Sequence, residues 1–233
     1  MKELPNKLND KLQNLKVSEI LSYFSNEYPD KVVFTTSMGA EDQVLTAEIA
    51  KTDKSIKIIT LDTGRMFQET YELIQRTESK FKIKIKVYFP DNNEVEKMVN
   101  EKGINLFYES IENRKLCCNV RKIEPLKRAL KENKIWINGL RRDQSTTRNK
   151  INLVEFDEVN NILKVNPLYK WTNEMVWDNI KNEKIPYNPL HDKNYPSIGC
   201  EPCTRPVEYG EDIRSGRWWW ENPDTKECGL HKR

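Results

Sequence analysis

Five cysteines in three groups are the residues of this chain best suited to chemistry. Cys117 and Cys118 are adjacent, Cys200 and Cys203 form a C-x-x-C pair, and Cys228 stands alone. The two pairs supply four thiolates, and adjacent cysteines bind separate irons of one cubane cluster more easily than one tetrahedral Zn²⁺. The pattern favours a four-thiolate metal or iron–sulfur site beside a reactive thiol. The alternative is that the adjacent pair is one core thiol and one bystander.

Basic residues adjoin these cysteines and one predicted strand. The sequence has Lys115, Arg121 and Lys122 around the adjacent pair, Arg205, Arg214 and Arg217 between Cys203 and Cys228, and Arg141, Arg142 and Arg148 after the strand. A run of charges is usually a solvated surface. Cations beside cysteines and strand ends instead favour a pocket for a multiply charged anion.

The lone thiol has a second ionisable group close to it in sequence. His231 follows Cys228 by three residues, so the two side chains share a face if this stretch is helical. A neighbouring imidazolium and several guanidiniums would lower the pKa of the thiol and supply an attacking thiolate. The alternative is a free surface cysteine. The three tryptophans at 218–220 are expected to anchor this segment by burying apolar area, and the alternative is that they dock a protein partner.

Alternating strand-like and helical runs indicate the fold that positions these groups. Strands are predicted at 31–36, 55–61, 83–89 and 134–140, and helices at 17–28, 41–51, 67–81, 94–101 and 119–131. Such alternation predicts an α/β fold, a mostly parallel sheet with helices on both faces. From about Lys184 the periodicity is lost. We expect one domain over residues 1–233, with an irregular C-terminal tail at 200–233 that carries the nucleophilic cysteine.

Ligands of such sheets bind beyond the carboxyl ends of the strands, here residues 35–42, 61–65 and 139–148. Ser37, Met38 and Gly39 precede a predicted helix, where backbone N–H groups can approach an anion, although such a turn is often only a helix cap. No Gly-Lys-Ser/Thr follows, so this is not a Walker A loop. Asp62 or Thr63 could bind a ribose or cap the next helix.

The bulk composition limits the function classes. The chain has 233 residues, 39 basic and 36 acidic, so its net charge of +3 does not indicate a general nucleic-acid binder. The first residues are polar and predict no signal peptide, and no apolar run is long enough for a membrane helix. We therefore expect a cytoplasmic protein whose cysteines stay reduced.

Four motifs resemble one family. They are Cys117-Cys118 followed by Arg121-Lys122-x-Glu124-Pro125-Leu126, the Ile-Gly-Cys-Glu-Pro-Cys-Thr-Arg-Pro-Val run at 198–207, Gly-Arg-Trp-Trp-Trp-Glu at 216–221, and Glu-Cys-Gly-Leu-His at 227–231. Together with the loops at 37–42, 61–65 and 141–145, they resemble the assimilatory adenylyl-sulfate (APS) reductases, the iron–sulfur branch of the phosphoadenylyl-sulfate reductase family. The resemblance covers roughly residues 30 to 231.

The resemblance implies an adenine nucleotide α-hydrolase-like fold and a [4Fe–4S] cluster on Cys117, Cys118, Cys200 and Cys203. It also implies reduction of adenosine 5′-phosphosulfate to sulfite and AMP, with electrons from thioredoxin or a glutaredoxin-like donor. Cys228 would be the nucleophile, aided by His231 and Lys122. The substrate-binding set would be Ser37, Gly39, Leu61, Thr63, Gly139, Arg141, Arg142, Arg148, Arg214 and Arg217. No nucleic acid or membrane is expected, and a homo-oligomer is left open.

Three other functions compete with this one. Reduction of 3′-phosphoadenylyl sulfate, alone or beside APS, is the nearest, although relatives limited to that substrate generally lack the cluster cysteines. An ATP-dependent adenylating, tRNA-thiolating enzyme with a structural zinc would resemble a Ser-Gly-Gly-x-Asp-Ser loop, but Met38 and Ala40 replace its glycines. A zinc module that binds RNA is disfavoured by the near-neutral charge.

Overall fold

The computed structural model describes residues 3–52, 55–144 and 150–222. Across these ranges the helices are α1 (Glu3–Leu12), α2 (Val17–Glu27), α3 (Ala40–Thr52), α4 (Gln68–Phe81), α5 (Asn92–Lys102), α6 (Ile111–Cys118), α7 (Glu124–Leu130) and α8 (Asn173–Asn182). The strands are β1 (Val32–Thr36), β2 (Lys57–Leu61), β3 (Ile85–Tyr88), β4 (Ile135–Ile137), β5 (Val154–Asp157) and β6 (Ile162–Val165). No helix in these ranges is both long and apolar enough to cross a membrane.

The six described strands form one sheet in the order β3-β2-β1-β4-β6-β5. β1 pairs in parallel with β2 and β4, and β4 in parallel with β6, whereas β5 and β6 pair antiparallel. The parallel central strands are rich in Val, Ile and Phe and largely buried, as expected for strands covered on both faces. The predicted α/β class with a mostly parallel sheet is confirmed.

Three groups of elements were not predicted from the sequence. α1 buries Pro5, Leu8 and Leu12, a helical spacing within a segment read only as polar. β5 and β6 form a hairpin whose turn places Asn161 at φ +52°, a conformation that asparagine tolerates. α8 is capped by Thr172, whose hydroxyl accepts a hydrogen bond from the Met175 N–H.

The helix predicted at 119–131 is wrong at its start. Helical structure begins at Ile111 as α6, passes through a π-helical turn at Asn119–Ile123, and continues as α7. The Ser110 side chain caps α6 by accepting from the Asn113 N–H at 3.1 Å. The adjacent cysteines therefore lie at the end of a helix and not before one.

Contacts divide the chain into two compact units. Unit 1 comprises Met1–Thr60, Thr70–Lys86 and Glu132–Asn188, and unit 2 comprises Leu61–Glu69, Val87–Lys131 and Pro189–Arg233. The core of unit 1 surrounds the strands, with Phe34, Ile135 and Val165 fully buried. The core of unit 2 is smaller and includes cysteines. The assignment of residues 1–233 to one domain stays a prediction.

Candidate active site

The first thiol pair of unit 2 lies where the helix changes its hydrogen-bond pattern. Cys117 and Cys118 end α6, and the following π-helical turn is closed by a bond from the Glu124 N–H to the Asn119 carbonyl. A π turn inserts one extra residue into the helix, which changes the direction of the side chains that follow, and such turns are frequent at functional sites. Here it carries Arg121 and Lys122.

The second thiol pair lies on a 3₁₀ turn at Glu201–Cys203. The Cys203 N–H donates to the Cys200 carbonyl at 3.0 Å, and the Thr204 hydroxyl donates to the same carbonyl at 2.9 Å. The Trp218 N–H donates to the Cys203 carbonyl at 3.1 Å. Hydrogen bonds therefore hold the backbone carbonyls of both Cys200 and Cys203.

All four cysteines of these pairs belong to one core. Cys118 and Cys203 are buried in it, Cys117 and Cys200 pack against it partly buried, and all four are free thiols. Within the ranges that the structure describes, no three His, Cys, Asp or Glu side chains stand in a ready-made metal geometry. The donor set itself fits a thiolate-bound cluster, because four sulfurs from two chain segments share one apolar environment.

The pKa values of Cys117, Cys200 and Cys203 are shifted, and not all in the same direction. Burial, together with the charges of Cys200 and Cys118, raises the pKa of Cys203 to about 12. Burial also raises the pKa of Cys117, against the opposing effect of Arg121. Burial works in the same direction on Cys200, but Lys122, the Thr63 hydroxyl and Arg217 outweigh it, so the pKa of Cys200 is lowered. A bound cation would be needed to keep all four as thiolates.

Three cations of unit 2 lie around this core. Arg121 is 8% exposed and donates from Nη1 to the Thr63 carbonyl at 2.7 Å. Lys122 is half-buried and acts electrostatically on Cys117, Cys200 and Cys203. Arg217 is equally buried, and a Cβ on Gly199 would collide with its guanidinium, so glycine there makes room for the cation. The structure thus places Lys122 and Arg217, two of the predicted site residues, beside the cysteines.

Thr63 lies beside a cysteine of the second pair. Its hydroxyl is 3.3 Å from the Cys200 sulfur and accepts from the Arg65 N–H at 3.2 Å. Leu61, the end of β2, is half-buried. Arg214 is half-buried on a turn where its N–H donates to Asp212 Oδ1 at 2.8 Å. No observation tests the substrate-binding role of these three residues.

The loop that follows β1 in unit 1, residues 37–42, is held by hydrogen bonds to one carboxylate. Asp42 Oδ2 accepts from the Ser37 N–H at 2.6 Å and from its hydroxyl at 2.8 Å. Between them, Met38 adopts the left-handed φ of +63° and donates its N–H to the Thr36 hydroxyl at 2.9 Å. Asp42 thus holds both donors of Ser37, and the predicted role of this loop in binding substrate is untested.

Gly139 lies directly against the same carboxylate. A Cβ at this position would collide with Asp42 Oδ1 and approach the Glu41 side chain. Gly39 is less restricted, since a Cβ there would meet the Ser37 hydroxyl only at 3.4 Å. The predicted role of Gly139 in closing a pocket is untested, but its lack of a side chain is required for this packing.

The two arginines after β4 differ in their surroundings. Arg141 is 2% exposed and donates from Nη2 to Glu41 Oε1 at 2.8 Å and from Nη1 to the Trp171 carbonyl at 3.2 Å. Arg142 is exposed, donates from Nε to the Ile151 carbonyl at 2.6 Å and stacks on Tyr169. Arg141 is therefore strongly engaged inside unit 1, and its predicted contact with substrate stays a prediction.

Three predicted residues lie outside the described ranges. They are Arg148, Cys228 and His231. Conversely, sequence reasoning missed Arg114 and Glu221, which form a fully buried ion pair in unit 2 with an Nη2 to Oε2 distance of 2.7 Å. The available signal was the position of Arg114, one helical turn before Cys118.

The sheet order and the mostly parallel pairing define an adenine nucleotide α-hydrolase-like fold. A solved structure of an FMN adenylyltransferase from Candida glabrata shares it, with a TM-score of 0.57 at 14% identity over 97% of this chain and 85% of that chain. At this identity the likeness concerns the fold alone.

The chain belongs to the phosphoadenosine phosphosulfate reductase domain family, whose model matches residues 31–206. It is 50% identical to an adenosine 5′-phosphosulfate reductase from Allochromatium vinosum, over 92% of this chain and 84% of that protein. It is 48% identical to an adenosine 5′-phosphosulfate reductase from Sinorhizobium fredii, over 96% of this chain and 89% of that protein. A solved phosphoadenylyl-sulfate reductase from Candida auris has a TM-score of 0.77 at 29% identity, covering 88% of this chain and 98% of that chain.

Proposed function

We propose that this chain reduces adenosine 5′-phosphosulfate to sulfite and AMP through a sulfonated cysteine, Cys228. The likeness that supports it most is the 50% identity to an adenosine 5′-phosphosulfate reductase across 84% of its length. Within unit 2, the observation that carries the chemistry is the grouping of Lys122 and Arg217 with the cysteine core. Such a group of cations suits a substrate in which sulfate and phosphate are joined by one anhydride oxygen.

In the first half-reaction, the Cys228 thiolate attacks the sulfur of the substrate. A sulfur–sulfur bond forms, the bond from sulfur to the bridging oxygen breaks, and AMP leaves with that electron pair. The approach of a thiolate to an anion is costly where water is excluded. Lys122, Arg148, Arg214 and Arg217 offset this repulsion and stabilise the leaving phosphate, with Arg141 and Arg142 as helpers. His231 holds the thiolate in place.

In the second half-reaction, a thioredoxin thiolate attacks Cys228 Sγ and expels sulfite. The mixed disulfide that forms is resolved by the second thiol of thioredoxin, which leaves Cys228 as a thiolate and thioredoxin as a disulfide. The two electrons come from the thioredoxin dithiol, so atoms and charges balance without another reductant. This sequence requires a reducing compartment, which supports the cytoplasm as its location.

A [4Fe–4S] cluster is the cofactor that the four grouped thiols fit, and Cys117, Cys118, Cys200 and Cys203 would hold it. When bound, it provides a charged structural centre and not an electron path, because thioredoxin supplies both electrons. Lys122 and Arg217 offset the negative charge of the four thiolates. Ser37, Gly39 and Gly139 would contact the adenosine.

The cluster assignment predicts that Cys203→Ser loses most of its iron and the absorbance near roughly 400 nm that thiolate–iron charge transfer gives. Iron analysis and visible spectra of anaerobically purified protein test this. Cys228→Ser is the matched control, since it removes a thiol that the proposal leaves outside the ligand set and should keep full iron. A colourless wild-type protein with one equivalent of zinc would contradict the assignment.

The activity is tested by sulfite release with reduced thioredoxin. We expect turnover of adenosine 5′-phosphosulfate, and slower turnover of the nucleotide that carries an additional 3′-phosphate. The two substrates are compared by kcat/KM in iron-loaded protein, with thioredoxin omitted as the control. No sulfite from either nucleotide would refute the function, whereas faster turnover of the 3′-phosphorylated nucleotide would correct the substrate.

A further inference from the structure

The most deeply buried ion pair described in unit 2 has no role in the reaction above. Arg114 donates from Nε and Nη2 to the two carboxylate oxygens of Glu221, at 2.8 and 2.7 Å. The side chains are 1% and 2% exposed. Taking two charges out of water costs several kcal/mol per ion, which such a pair recovers only with good geometry and further hydrogen bonds. Stability alone therefore does not explain why this ion pair is buried here.

The pair contacts both halves of the cysteine core. On one side, Arg114 hydrogen-bonds to Cys118, one turn further along the helix. On the other, Glu221 closes a turn in which its N–H donates to the Trp218 carbonyl at 2.8 Å, while the Trp218 N–H donates to the Cys203 carbonyl at 3.1 Å. The ion pair and the turn at 218–221 thus connect Cys118 with Cys203 through Trp218.

Trp218 fixes the guanidinium further. The ring is 1% exposed, and the Arg114 guanidinium carbon lies 4.9 Å from its centroid, with that of Arg217 at 4.7 Å. Two cations against one indole are held by cation–π attraction in a site with little water. Arg114 therefore has a carboxylate, a ring and a sulfur as partners, and its orientation toward Cys118 is well defined.

We propose that Arg114 is a positioning residue of the cluster site, which holds an N–H on the Cys118 sulfur, and that Glu221 orients it and offsets its charge. Hydrogen bonds and net charge around the sulfurs set the reduction potential of such a cluster. With Glu221 present, the pair adds almost no net charge, so the cluster resists reduction while thioredoxin reduces the sulfonated cysteine. The inference rests on the cluster proposed above.

The decisive variant is Glu221→Gln, which keeps the shape and removes the charge. Arg114 is then uncompensated beside Cys118, so the ratio of reduced to oxidised cluster at a fixed applied potential should rise on the order of tenfold. Optical redox titration of iron-loaded protein measures this ratio. Glu211→Gln is the matched control, because it removes the same charge from the solvent-exposed Arg205–Glu211 pair of the same unit and should leave the ratio unchanged.

The outcomes separate this inference from the proposed function. Wild-type protein without iron would refute the cofactor, and the inference with it. A fully loaded Glu221→Gln protein with the wild-type ratio would overturn the inference alone. If Glu221→Gln does not fold, Arg114→Lys tests the inference instead. Lysine keeps the charge, but its single ammonium group cannot bond to Glu221 and Cys118 together. Its iron–sulfur stretching bands in resonance Raman spectra should shift, and unchanged bands would overturn the inference.

Discussion

Cys228→Ser should release sulfite at least about 10³-fold more slowly than the wild-type protein, with its iron retained. A serine hydroxyl stays protonated near neutral pH and is a far weaker nucleophile toward sulfur than a thiolate. The same variant should form no covalent adduct. Wild-type protein mixed with substrate and no thioredoxin should carry one SO₃ group on the peptide that contains Cys228, as measured by mass spectrometry.

The control for this result is Glu211→Gln, a change on the surface of unit 2 that should leave both the rate and the adduct as in the wild type. Two outcomes would contradict the mechanism. One is a Cys228→Ser protein that forms sulfite at the normal rate. The other is an SO₃ group found on a different cysteine of iron-loaded protein.

Arg114→Ala should lower the free energy of unfolding by about 3–5 kcal/mol. The change leaves the Glu221 carboxylate 2% exposed without its guanidinium, and Trp218 loses a stacked cation. Urea unfolding of the iron-free protein measures the loss without a contribution from the cluster. Arg205→Ala, which removes a guanidinium from a pair exposed to solvent, should leave the unfolding midpoint almost unchanged.

A double variant shows whether the loss of stability comes from the unpaired Glu221 charge or from the loss of the Arg114–Glu221 pair itself. Arg114→Leu combined with Glu221→Leu leaves no unpaired charge, so it should recover much of the stability that Arg114→Ala loses. A single variant as stable as the wild type would mean that water reaches the Glu221 carboxylate. It would also weaken the assignment of Arg114 to the cluster site.

The central sheet was predictable because its signal is local. Buried β-rich runs, each followed by a helical stripe, identified β1 to β4 and the helices α3, α4 and α5, with ends displaced by only a few residues. The helical region before β4 was predicted to start eight residues too late. The hairpin of β5 and β6 was missed because two of the four residues of β5, Glu155 and Asp157, are of types that strands disfavour. The π-helical turn was not predictable, since its hydrogen-bond pattern has no sequence signature comparable to a cap or a proline.

The candidate site, like the fold, was predictable only where its sequence signal is local. The cysteine pairs could be selected because thiols at these spacings have few other uses, and the structure does bring the four thiols into one core. The partners of individual side chains could not be foreseen. Thr63 approaches Cys200 and Arg141 pairs with Glu41 across 137 and 100 residues of chain. Such pairings depend on tertiary packing, which the pattern of residue types does not encode locally.

The buried ion pair of unit 2 also sets an order of events during synthesis. Arg114 and Glu221 are 107 residues apart. At translation rates of about 5–20 residues per second, Glu221 is therefore synthesised about 5–20 s after Arg114. Cys203 likewise emerges from the ribosome well after Cys118. For the cluster proposed above, we therefore expect iron to be inserted only after this region has been translated.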